Sequence, residues 1–227
     1  MGKGQAGIRI AIDGPGGAGK STIAKNVAKK LGIDYIDTGA MYRAIAYKIK
    51  TEGIRLDDAA ALHKMLEATT IDFSGGDVLL DGVVVHDEIR SPEITQLASD
   101  SSALPAVRMK LVALQKEMAR QKSVVMDGRD IGTNVLENAE YKFFLTAAAE
   151  ERARRRHLEL TQKGSAPPYE TILEDIMRRD QNDMTRALNP LRKAEDALEL
   201  DTTTMTIEAV EEAVLRTVRS AERSNKK

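Results

Sequence analysis

The sequence predicts an α/β fold. A parallel sheet lies between helical layers, and one connection expands into an inserted subdomain carrying a small antiparallel sheet. Three observations predict it. Short runs rich in Ile and Val alternate with segments of helical period along the chain, the order that builds a parallel sheet through helical crossovers. The glycine-rich stretch GPGGAGKST, residues 14–22, sits between one such run and one such helix. Finally, Asp81-Gly82 separates Val78-Leu79-Leu80 from Val83-Val84-Val85, a hairpin signal with no place in a wholly parallel sheet.

Taken in order, residues 8–13 (IRIAID) form a buried strand, with Ile8, Ile10, Ala11 and Ile12 as its apolar positions. Residues 21–32 form a helix with Ile23, Val27 and Leu31 on one face and Gly32 as its stop. Tyr35-Ile36 ends a second strand, and a helix covers residues 41–49. The loop joining them carries Asp37, Thr38, Tyr42 and Arg43, at a carboxyl strand end, where α/β folds bind ligands. The hairpin lies within residues 71–91. A helix at 106–121 returns to the core, followed by the strand 123–127, the loop GRDIGT and the strand 141–147. A charged helix, EERARRRHLEL, leads into a breaker loop at 162–170. A helix at 171–186, a short strand at 197–201 and a helix at 207–218 close the fold. The expected organisation is a core of residues 1–38, 106–150 and 170–227, an insertion at 39–105 and a lid at 151–169. The tail 219–227 reads as disordered.

The glycine stretch carries chemistry. Gly14, Gly19, Lys20 and Ser21 match G-x-x-x-x-G-K-[ST], and the strand–loop–helix context is the one that this pattern requires. The core is therefore of the three-layer P-loop type. Residues 14–19 (Gly14, Pro15, Gly16, Gly17, Ala18, Gly19) can turn backbone N–H groups onto a phosphate because few side chains intervene. The helix that begins with Lys20, Ser21 and Thr22 aims its N-terminal dipole at the same anion. Lys20 then places a cation on the β- and γ-phosphates, and the Ser21 hydroxyl can ligate Mg²⁺. The chain is expected to bind a nucleoside triphosphate. A guanine-specific switch is disfavoured because the only Asn-Lys pair is Asn225-Lys226, in the tail. A remodelling ATPase is disfavoured because the second acidic strand end is Asp127 followed by Gly128, not paired acids. A small-molecule kinase leads.

Bulk properties agree. The 227 residues are 42% hydrophobic and 30% charged, with a net charge of −1 and no cysteine. That balance does not suggest a partner held by bulk charge, such as nucleic acid. There is no thiolate metal site and no disulfide. No apolar run reaches the roughly 18 residues of a membrane span, and the start lacks a signal-peptide core. A soluble, cytoplasmic monomer is expected.

The charged segments refine the site. On the helix 171–186, Arg179, Asp183 and Arg186 fall within about 40° of Ile172 at helical period, so an apolar stripe turns charged. Charge on a core-facing stripe is costly unless it is paired. A wall of guanidinium forks for phosphate and a carboxylate for a sugar hydroxyl is one reading; an i,i+4 surface pair is the other. Arg129 and Asp130 stand at another carboxyl strand end. Arg152, Arg154, Arg155 and Arg156 precede the Gly164/Pro167-Pro168 loop. They suit a lid that closes over phosphates, and equally a solvated face paired with Glu150, Glu151 and Glu159.

The segments IDGPGGAGKST, YIDTGAMYR, VVMDGRDIGT, RRDQNDMTRALNPLRKAEDA and LDTTTMTIEAV together resemble the bacterial-type cytidylate kinases, over residues 8–218. The resemblance implies transfer of a phosphoryl group from ATP to CMP or dCMP, with Mg²⁺. It also implies that Thr38, Ser99, Arg108 and Asp130 surround the cytosine and that Arg43, Arg129 and Arg186 face the CMP phosphate. Arg179 and Asp183 would meet the ribose and phosphate. Lys20, Arg129, Arg155 and Arg156 would stabilise the transferring group. Cytosine offers an amine donor at N4 where uracil offers an acceptor, so a carboxylate such as Asp130 favours CMP. The alternatives are a kinase for another acceptor, such as UMP, or a regulatory P-loop NTPase.

Overall fold

A computed structural model describes residues 7–120, 122–164 and 166–224. These divide into two compact units, one of residues 1–35 and 122–227 and one of residues 36–121.

The first unit is built on a five-stranded parallel sheet in the order β2-β6-β1-β7-β8. Its strands are β1 (Arg9–Asp13), β2 (Asp34–Asp37), β6 (Val124–Gly128), β7 (Tyr141–Thr146) and β8 (Leu198–Asp201). Central parallel strands are covered on both faces and so read as continuous apolar runs; Ile10, Ala11, Ile12, Val124, Val125 and Met126 are all fully buried. Helix α1 (Lys20–Leu31) lays Ile23, Ala24, Val27 and Ala28 on this sheet. It ends at Gly32, whose left-handed backbone (φ 66°) returns its N–H to the last turn. Helix α8 (Ile207–Ser224) adds Val210, Val214, Leu215 and Val218 to the same core. Helices α6 (Ala149–Gln162) and α7 (Tyr169–Thr185) pack on each other. Full burial of a side chain such as Phe143 is worth about 1.5–3 kcal/mol.

The second unit has α2 (Thr38–Thr51) at its centre, with Met41, Ile45 and Ile49 buried one turn apart. Helices α3 (Ala59–Ala68), α4 (Pro92–Ser101) and α5 (Pro105–Arg120) and a three-stranded antiparallel sheet surround it. The strands are β3 (Ile71–Ser74), β4 (Asp77–Leu80) and β5 (Val83–Val85). Asp81 (φ 51°) and Gly82 (φ 80°) both take positive φ, the turn whose twist matches a two-residue hairpin.

Several expectations are corrected. Helix α2 starts at Thr38, not Met41, because the Asp37 side chain caps it by accepting the N–H of Ala40 at 2.8 Å. Thr38, Tyr42 and Arg43 therefore lie on a helix and not in a loop. The hairpin gains a third strand, β3, and α3 and α4 were not expected. Helix α5 packs with α2 and α3 in the second unit, whereas the sequence reading placed residues 106–121 with the core; Val107 and Leu111 are buried there. The segment after β6 winds into a π-helical turn, Ile131–Val135. The tail continues α8 as far as Ser224; its last three residues lie outside the described ones, as do residues 1–6 of the core, Gln121 and Ser165 of the breaker loop. Among the described residues, no helix is long and apolar enough to cross a membrane.

Gly14 leaves β1 at φ 145°, and a Cβ there would lie 2.0 Å from the Leu145 carbonyl oxygen of the neighbouring strand. Backbone cannot yield by that much cheaply. Gly14→Ala is expected to cost about 3 kcal/mol or more and to lower Tm by roughly 6–12 °C, read by thermal denaturation; an unchanged Tm contradicts this packing.

Candidate active site

The site of the first unit forms where β1 and β6 end. These strands pair in register, Ile12 with Asp127 and Asp13 with Gly128, so the two carboxylates emerge at one sheet edge. Chain connections diverge there: β1 leads to β2 on one side and β6 to β7 on the other. Such switch points open a crevice at the carboxyl edge.

Each charged group at this edge is buried and has partners. The Lys20 ammonium donates to the Pro15 carbonyl at 2.7 Å, closing across its own loop. Burial, reinforced by the Arg129 guanidinium, lowers its pKa to about 7. Ser21 Oγ donates to Asp127 Oδ2 at 2.8 Å, and Tyr35 Oη donates to Asp127 Oδ1 at 2.8 Å. Asp13 accepts the N–H groups of Ile131 and Gly132 at 2.8 and 2.7 Å, fastening the π-helical turn that follows Arg129 and Asp130. Burial nevertheless lifts its carboxyl to about 6, these two hydrogen bonds opposing the rise.

Beyond this edge runs a chain of alternating charge. Arg129 Nε donates to Asp183 at 2.7 Å. Asp183 stands 3.7 Å from Arg186 Nη1, and Arg186 Nη2 donates to Asp130 at 2.9 Å. Asn134 donates to the other oxygen of Asp130 at 3.0 Å. Burial opposes both charges of the Arg129–Asp183 pair. Their mutual attraction outweighs it, raising the guanidinium pKa and lowering the carboxyl pKa, with Arg179 adding to the field at Asp183. Of the charged stripe of α7, Asp183 and Arg186 are therefore paired with Arg129 and Asp130 and do not form an i,i+4 surface pair.

In the second unit, Arg43 Nη2 meets Asp37 at 3.2 Å, while its buried Nε has no hydrogen-bond partner. Arg108 stacks its guanidinium over the Tyr42 ring, 5.8 Å from the centroid. Thr38 and Arg108 are buried, and Ser99 is half-buried on α4.

The arginine run on α6 divides. Arg154 pairs with Glu151, and Arg156 pairs with Glu159 on an exposed face. Arg155 bonds Glu151 and the carbonyls of Thr202 and Thr203. Arg152 alone turns inward, to the Gly16 carbonyl and to Asp180. Sequence reasoning assigned no role to Asp13, Tyr35 or Asp180 and did not single out Arg152 within its run. An acid ending an apolar strand, and a second acid three residues before Asp183, were the available signals. A cavity of about 650 Å³ lies beside the phosphate loop, lined by Gly17, Thr22, Arg155, Thr203, Met205 and Val210 among others.

The sequence profile of cytidylate kinases matches residues 10–220. The chain belongs to the cytidylate kinase family. It is 53% identical over 212 residues to the cytidylate kinase of Caldicellulosiruptor bescii, covering 92% of this chain and 94% of that protein. Identity to the cytidylate kinase of Clostridioides difficile is 49% over 206 residues, covering 91% and 95%. Among solved structures, an uncharacterized protein from Eubacterium ventriosum superposes with a TM-score of 0.51 at 13% identity, covering 94% of this chain and 98% of that one, a likeness of fold alone. The matched span of the cytidylate kinase family contains all the charged groups described above.

The raised pKa of Asp13 has a signed consequence. An ordinary carboxyl loses its proton near 3.9, whereas this one holds it to about 6. The folded chain thus binds this proton more tightly than the unfolded chain does. The group's contribution to stability falls as pH rises from about 4 to about 6 and is level above that. Carboxyl ¹³C NMR of the unliganded protein is expected to show a titration near pH 6 that disappears in Asp13→Asn; a midpoint near 4 for Asp13 contradicts it.

Proposed function

We propose that the protein transfers the γ-phosphoryl group of ATP to the phosphate of CMP or dCMP, forming CDP or dCDP and ADP. The observation that carries this is identity of about half over nine-tenths of the chain to proteins named cytidylate kinase. The site chemistry supports it. A phosphate oxygen of CMP attacks the γ-phosphorus in line; the new O–P bond forms as the bond to the bridging oxygen breaks and ADP leaves. The attacking oxygen is already anionic, so no general base is needed. The protein's task is to orient two anions and to neutralise them.

Lys20 serves the β- and γ-phosphates. Phosphates at its ammonium restore the charge that burial disfavours. Ser21 and Asp127 offer a hydroxyl and a carboxylate, 2.8 Å apart. These are hard oxygens that fit Mg²⁺, which takes one or two protein ligands and fills its shell with water and phosphate. Bound Mg²⁺, held by Ser21 and Asp127, would supply charge neutralisation for the transferring phosphoryl group.

For the acceptor, Arg43, Arg129 and Arg186 are assigned to the CMP phosphate, and Arg179 and Asp183 to the ribose and phosphate. Thr38, Ser99, Arg108 and Asp130 are assigned to the base. The unpartnered Arg43 Nε leaves a donor for an anion. Residues 151–169 act as the lid, with Arg155 and Arg156 delivered to the phosphates. Their ion pairs with Glu151 and Glu159 are partly exposed, of a kind worth little against a polyphosphate.

Two variants test the reading. Lys20→Met is expected to lose at least about a hundredfold in kcat at unchanged Tm; turnover near wild type removes the role. Asp130→Asn is expected to lower the CMP-to-UMP ratio of kcat/KM at least about tenfold, because an amide can turn a donor to the uracil O4 where a carboxylate only accepts. An unchanged ratio places specificity elsewhere.

A further inference from the structure

Arg152 stands at the fourth position of α6, 4% exposed. Each arm of its guanidinium has an acceptor from a different part of the chain. Nε donates to the Ala147 carbonyl at 2.8 Å, Nη1 to the Gly16 carbonyl at 3.0 Å and Nη2 to the Asp180 carboxylate at 2.6 Å. These come from the segment after β7, the phosphate loop and α7. The stem packs under the loop: a Cβ on Gly17 would lie 3.3 Å from Arg152 Cβ. The phosphoryl-transfer roles assigned above do not use this residue.

The bond to Gly16 has a geometric consequence. A trans peptide points its carbonyl and the following N–H in opposite directions. Drawing the Gly16 oxygen towards α6 therefore aims the Gly17 N–H away from it. With φ at 79°, Gly17 has no side chain to hold that peptide plane, and glycine is free to turn. An external clamp is what such a peptide needs. A planar fork provides it because each N–H is fixed in direction, which an ammonium cannot match. Asp180 in turn holds the fork, while Asp183, three residues on, holds Arg129, whose Nη2 lies 3.5 Å from where a Gly16 Cβ would be. Helix α7 thus steadies two arginines that flank one glycine of the loop.

We propose that Arg152, held by Asp180, is a positioning residue that fixes the Gly16–Gly17 peptide so that the Gly17 N–H is presented to the phosphates of the nucleoside triphosphate. This rests on the reading of the loop as the ATP site. It differs from a brace that merely stabilises the fold, because it acts on one substrate.

The test compares wild type, Arg152→Met, Arg152→Lys and Asp180→Asn. KM for ATP, KM for CMP and kcat are measured together with Tm, and ATP binding is measured by calorimetry without acceptor. Arg152→Met is expected to raise KM for ATP about tenfold, the worth of one charge-assisted hydrogen bond, with KM for CMP within about twofold. Arg152→Lys recovers part of the loss, and Asp180→Asn raises KM for ATP several-fold. Should Arg152→Met fail to fold, the other two variants decide. Unchanged ATP affinity in folded Arg152→Lys and Asp180→Asn overturns the proposal, as does an equal rise for both nucleotides or a change in Tm alone. Wild type that binds ATP yet gives no CMP-dependent turnover defeats the kinase reading instead, and the calorimetric comparison still judges Arg152.

Discussion

Burial of charge at the carboxyl edge of β1 and β6 governs the rest of the molecule. Asp13, Lys20, Asp127, Asp130 and Arg152 are each at most 5% exposed, at the end of strands that are otherwise apolar. Charges taken from water cost several kcal/mol each unless partners are close and well aimed. The local architecture supplies those partners. The Pro15 carbonyl meets Lys20, two backbone N–H groups meet Asp13, a hydroxyl and a phenol meet Asp127, and Asp180 meets Arg152. A polyphosphate bound at the loop would meet the Lys20 ammonium, whose charge burial disfavours, and would restore that charge.

Helix α7 distributes this requirement. Its residues 179–186 read RDQNDMTR, and helical period carries Asp180, Asp183 and Arg186 towards the first unit's interior. Through Asp180 it reaches the donor loop, and through Asp183 and Arg186 it reaches Arg129 and Asp130 after β6. One helix thereby ties the phosphate loop to the residues assigned to the acceptor. Asp13 completes the tie from below by fixing the π-helical turn at its two N–H groups. A shift in any one of these elements is felt by the glycine-rich loop and by Arg129 and Asp130 together.

Much of this was legible beforehand, for identifiable reasons. The phosphate loop is encoded locally, by glycines at fixed spacing between a strand and a helix. The Asp81-Gly82 hairpin is equally local, since positive φ demands those residues. The start of α2 was missed because the apolar period begins at Met41, while the cap at Asp37 starts the helix three residues earlier, at Thr38. Helix α4 carried an unread signal: Ser91 caps it and Pro92 opens it. The role of Arg152 was beyond local reading. Four arginines in five positions share composition and propensity, and only packing against α7 and the phosphate loop separates buried Arg152 from exposed Arg154 and half-buried Arg155 and Arg156. Placement of residues 106–121 depended likewise on long-range contacts of Val107 and Leu111, which periodicity does not specify.

The most direct test of the account is a coupled assay of ADP release, with ATP and Mg²⁺ against CMP, dCMP, UMP, AMP, GMP and no acceptor. The account predicts rapid turnover with CMP and dCMP alone. Slow ATP hydrolysis at one rate whatever the acceptor would contradict it, leaving a phosphate loop that binds nucleotide without a phosphoryl acceptor.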